Sequence, residues 1–155
     1  MLASLPLATI LAVSGFCGLA GALARHGQGG AWRRWQAMVL FGMCQVPMLY
    51  SYGWNAHHAL DYVIGGLLIG LFYADMTLKQ EFANLWLGLA RNAGPLLMLF
   101  FATGVWEVLL GLPIIFLAMK WAKEPHGFDS HKVFEYVLGG VTGFAWGYAP
   151  LVRCW

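Results

Sequence analysis

Charge is what this sequence has least of. Lysine, arginine, aspartate and glutamate together make up 10% of its 155 residues, where a soluble domain carries about 25%. Too few polar side chains are present to cover a soluble globule. The formal net charge of +2 falls far short of the basic surface that a nucleic-acid binder presents. Cysteine is scarce too: Cys17, Cys44 and Cys154 form an odd set without a CxxC pair. That excludes a disulfide framework and a zinc knuckle. Cys17 and Cys44 lie in apolar runs and read as small hydrophobes. No G-x-S-x-G and no H-E-x-x-H occurs, and Gly27-Gln28-Gly29-Gly30 lacks a Gly-Lys-Ser/Thr ending. The motifs of a serine hydrolase, a zinc protease and a phosphate loop are therefore missing.

Apolar residues fill the space, at 60% of the chain. Five runs reach or approach the roughly 20 residues that cross a bilayer: 2–24, 35–54, 60–76, 93–119 and 133–152. The first lacks a basic leader and is too long for a signal-peptide core. The expected fold class is an all-α integral membrane protein, a single membrane domain over 1–155 with five transmembrane helices. Residues 77–92 are expected to form a short interfacial helix, with a plain extension of span three or four as the alternative. There Leu78, Phe82, Leu85, Trp86 and Leu89 share one face, and Thr77 with Gln80 resembles a capping box. Tryptophans near the run ends (Trp32, Trp35, Trp54, Trp86, Trp121 and Trp155) read as an aromatic belt.

Basic residues set the orientation. With the N-terminus outside and the C-terminus in the cytoplasm, Arg25, Arg33, Arg34, Lys79, Arg91 and Arg153 are internal. Lys120, Lys123 and Lys132 are then external. The expected location is a plasma membrane of the bacterial inner-membrane kind.

The chain also resembles itself. Residues 57–73 (HHALDYVIGGLLIGLFY) align with 131–147 (HKVFEYVLGGVTGFAWG) at an offset of 74. His57 matches His131, Asp61 matches Glu135, and Gly65-Gly66 matches Gly139-Gly140. Upstream, Val46-Pro47-Met48 resembles Leu112-Pro113-Ile114. The pattern implies an internal parallel repeat of two-helix hairpins, spans two and three followed by spans four and five. Parallel repeats of this kind occur in transporters. Small residues line the repeated helices: Gly66, Gly70 and Ala74 in one copy, Gly139, Gly143 and Gly147 in the other. Small stripes let helix backbones approach in lipid. The third and fifth spans are expected to pack on each other or on a neighbouring subunit, in a homo-oligomer or a larger membrane complex.

Two groups of residues carry candidate chemistry. His57 precedes Asp61 by four positions, as His131 precedes Glu135, so each pair shares a helix face. Together they form a candidate external site for a divalent metal, or a proton-responsive cluster. Capping of helix N-termini is the structural alternative. Glu107 lies near the middle of the fourth run, with Pro113 six residues on. A charge at mid-bilayer costs roughly 2.5–3.5 kcal/mol on insertion scales and normally faces a polar interior. Glu107 is the candidate ion or proton site on a helix kinked by Pro113, and Gln45 beside Pro47 is its weaker counterpart. The function expected is a small membrane transporter or channel for a proton, cation or small solute. Two alternatives stand beside it. One is a non-catalytic membrane subunit or phage- or plasmid-type accessory protein, and the other is a metal-dependent membrane enzyme.

Overall fold

The computed structural model describes residues 7–26, 31–52, 59–75, 85–125, 127 and 130–153. Among the described residues seven α-helices follow one another: α1 (Leu7–His26), α2 (Ala31–Met43), α3 (Val46–Tyr52), α4 (Ala59–Asp75), α5 (Leu85–Thr103), α6 (Gly111–Lys123) and α7 (Ser130–Arg153). A 3₁₀ segment, Trp106–Leu110, joins α5 to α6. Among the described residues there is no strand, so the chain is all-α. One described helix, Leu85–Thr103, is long and apolar enough to cross a membrane, and Met38–Tyr50 and Ala59–Gly70 are shorter apolar stretches.

Helix α7 is the central strut, touching α1, α3, α5 and α6. Its glycines decide how close α1 comes. Gly139 lies against Gly21, and Gly143 against the Cys17 carbonyl and the Gly21 Cα. Gly147 lies against the Cys17 side chain. A Cβ at Gly21, Gly143 or Gly147 would overlap the opposite helix, so α1 and α7 touch backbone to backbone. In α4, Gly66 does the same against α2, where a Cβ would sit 2.7 Å from the Phe41 carbonyl oxygen. The stripes of Gly66 and Gly143 therefore face α2 and α1, instead of each other. Gly70 is buried. Of the two partners expected for these stripes, each other or a neighbouring subunit, the first gives way, because α1 supplies Cys17, Gly18 and Gly21, a small face complementary to that of α7.

Three further expectations change. Residues 85–92 do not form a separate interfacial helix but open α5. Leu85, Leu89, Asn92, Leu96 and Leu99 continue one inward face at helical spacing without a break. Trp86 packs its ring 5.8 Å from Phe116 of α6. Residues 77–84, with Thr77, Gln80 and Phe82, lie outside the described residues apart from this helix. The fourth run is not one helix either. It breaks after Thr103, and Pro113 is not the cause, since it sits in the first turn of α6. A first-turn proline loses no intrahelical bond. Gly104 makes the break by taking φ +70, a left-handed helix end that disfavours residues with a Cβ. Thr103 completes it: its hydroxyl donates to the Leu99 carbonyl at 2.7 Å and accepts from the Val105 N–H at 3.3 Å. The second run also breaks, at Cys44–Gln45 between α2 and α3.

The interior holds Phe41, Met48, Leu96, Leu99, Ile115, Met119, Phe134 and Leu138, all at most 1% exposed. Ser14, Gln45, Asn92 and Thr142 are equally hidden. Outside, several large apolar side chains are exposed: Leu19, Leu68, Phe101 at 80% exposure, Leu117 and Tyr50 at 87%.

Candidate functional site

The break at Gly104 puts Glu107 on the 3₁₀ segment, outside any regular α-helix. There it edges a half-open groove of about 570 Å³ between this segment, the start of α6 and the middle of α7. Gly111, Ile114, Val141, Phe144 and Tyr148 form most of the remaining wall. Local sequence explains the shape. Gly111 has no side chain because Val141 and Leu96 press on it, within 2.6 and 2.9 Å of where a Cβ would stand. That draws the end of the 3₁₀ segment against α7. Phe144 and Tyr148 are four apart, on one helix face, and their rings stack at 5.8 Å with 17° between planes. Glu107 is half-buried and has no hydrogen-bond or ion-pair partner among the described residues. The groove thus combines apolar walls, an aromatic pair and one uncommitted carboxylate. Its size falls in the range of small-molecule sites, about 300–1,000 Å³.

Gln45 is placed elsewhere. It is fully buried in the turn between α2 and α3, and its Nε2 donates to the Trp146 carbonyl at 2.6 Å. The reason lies four residues along α7: Pro150 has no N–H to give that carbonyl. Gln45 supplies the missing donor and clamps α3's start to α7. Gln45 Oε1, Trp146 Nε1 and Ser14 Oγ are buried with no hydrogen-bond partner among the described residues. Beside this clamp, Cys44 Sγ donates to the Leu40 carbonyl at 3.3 Å, and Cys17 Sγ to the Cys44 carbonyl at 3.5 Å. Both cysteines are free thiols. Gln45 does not line the Glu107 groove, so the two sequence candidates do not form one site.

The external His/acid candidates are only partly in view. His57 lies outside the described residues, as does the His131 side chain. Asp61 is exposed in the first turn of α4, and Glu135 is half-buried in the second turn of α7. Each already interacts within the protein. Among the described residues no group of three or more His, Cys, Asp or Glu side chains is gathered as for a metal ion.

Sequence reading missed Phe144 and Tyr148. Their signal was the i, i+4 spacing of two rings in a glycine-rich helix, which only acquires meaning once Glu107 faces it. No family model, no curated protein and no solved structure matches the chain.

Proposed function

We propose that the chain is a small multi-pass membrane protein that moves a proton, a cation or a small cationic solute across the bilayer, with Glu107 as its binding carboxylate. One observation carries the reading: a carboxylate without a partner among the described residues stands at a helix break, on the edge of an apolar groove. Unpaired carboxylates in apolar surroundings are expensive and are kept where a cation or proton completes them. Interrupted helices are the usual frame for such sites in transporters, because the interruption releases backbone polar groups toward a cavity. Both interruptions here come shortly before a proline that the self-similarity aligns, Pro47 and Pro113.

The membrane setting is supported by the exposed apolar side chains and by helix length. Helix α5 has 19 residues, or about 28 Å at 1.5 Å per residue, against about 30 Å of hydrocarbon, and is apolar enough to cross it. We place the N-terminus outside and the C-terminus in the cytoplasm, following the arginine distribution.

The test is flux into liposomes containing the purified protein, with a pH-sensitive dye and with cation-selective dyes. Wild type is expected to pass protons or a cation. Glu107→Gln is expected to abolish the flux while keeping the elution volume and helical circular dichroism of wild type. Undiminished flux in a correctly folded Glu107→Gln protein would remove Glu107 from the pathway. Absence of flux from wild type, with a stoichiometric protein partner in gentle detergent, would turn the assignment to a non-catalytic membrane subunit.

A further inference from the structure

The groove beside Glu107 is larger and greasier than a proton or bare metal ion requires. A hard divalent cation takes six or more oxygen ligands, and the groove wall offers one carboxylate among Ile114, Val141, Phe144 and Tyr148. A volume of about 570 Å³ accommodates an organic molecule. An anion would meet Glu107 with its own charge, and a neutral apolar molecule would leave that carboxylate without a counter-charge. Only a cation with an apolar body matches every wall. The carboxylate would take its charge, the aliphatic side chains its body, and the stacked Phe144–Tyr148 pair its cationic or aromatic portion, since ring faces attract positive charge.

We infer that this groove binds a lipophilic organic cation, of the class of aryl phosphoniums, quaternary ammoniums and protonated aromatic amines. This inference rests on the transport reading and specifies the class of solute at the same carboxylate.

The test uses tetraphenylphosphonium and its size-matched anion tetraphenylborate, titrated calorimetrically into the full chain in detergent. Wild type is expected to bind the phosphonium and to reject the borate. Glu107→Gln should weaken phosphonium binding about tenfold or more, and Glu107→Asp should retain most of it. Replacing Phe144 and Tyr148 together with leucine should weaken it by about tenfold, which is the scale of one desolvated cation–ring contact. Melting temperature and elution volume, followed in parallel, show that each variant is folded. Equal binding of phosphonium and borate would overturn the inference by reducing the groove to an apolar slot. So would phosphonium binding that is indifferent to Glu107→Gln. Proton or metal-ion flux that needs Glu107, without phosphonium binding, would overturn the solute class and leave the transport reading standing. Glu107-dependent phosphonium binding without any flux would uphold the site and remove transport.

Discussion

Among the described residues the chain interrupts its helices twice ahead of a proline, at Cys44–Gln45 and again over Gly104–Leu110, and finishes the two interruptions differently. At the first, the turn is tightened by Cys44 N–H to the Phe41 carbonyl and Gln45 N–H to the Gly42 carbonyl, at 3.3 and 3.1 Å. Its polar side chain turns inward and is committed to α7. At the second, Gly104 and Thr103 close the end of α5 locally, and the polar side chain that follows is left uncommitted beside a groove. An amide that replaces a missing N–H is a structural device. A carboxylate with no partner among the described residues is the one we propose as the binding device. Position near a proline in an apolar run is common to both, so the partner of the side chain separates them.

The comparison can be broken most severely at Gln45. Gln45→Ala is expected to lower stability by about 2–4 kcal/mol, combining an emptied core site with a carbonyl stripped of its donor. The clamp makes a sharper claim. In a Pro150→Ala background the restored N–H at residue 150 takes over the Trp146 carbonyl, so the same substitution should cost at least about 1 kcal/mol less. Denaturant or thermal melts of the four proteins in the cycle measure this. Equal cost in both backgrounds would mean that Gln45 does not stand in for the proline.

A smaller effect is expected at Gly104. Adding a Cβ meets no neighbour, so any loss in Gly104→Ala comes from its φ of +70 and should be about 1–2 kcal/mol. Gly104→Asn should lose less, since asparagine tolerates that region better than alanine. If both variants melt like wild type, the break after Thr103 is not maintained by backbone conformation. Thr103→Val is smaller still, about 1 kcal/mol for the bonds its hydroxyl makes with Leu99 and Val105. At the far end of the scale, Glu107→Gln should change the melting point hardly at all, within about 0.5 kcal/mol, while removing transport. A large stability loss there, paired with lost flux in a folded Gln45→Ala protein, would invert the roles assigned to the two breaks.

Much of the candidate site was legible before the fold. Glu107 stands out because carboxylates are rare in apolar runs. Gln45 stands out for the same reason, though its role differs from the one its composition suggests. The break itself was misplaced onto Pro113, because proline is the strongest helix-breaking signal in sequence and its tolerance in a first turn depends on where the helix starts. Residues 85–92 looked amphipathic enough to lie alone. Their inward face continues in register through Leu96 and Leu99, and continuity of that kind favours one long helix.

Sequence by itself determined that this chain is helical and poor in exposed charge, because both follow from local hydrogen bonding and composition. It also determined which carboxylate stands in apolar surroundings. Tertiary structure alone decided that the glycines of α7 meet α1, that Gln45 answers for Pro150 from 105 residues away, and that Phe144 and Tyr148 share a groove with Glu107. Each of these joins surfaces distant along the chain. Their complementarity arises only when the helices are packed, since no local propensity encodes which face will find which partner.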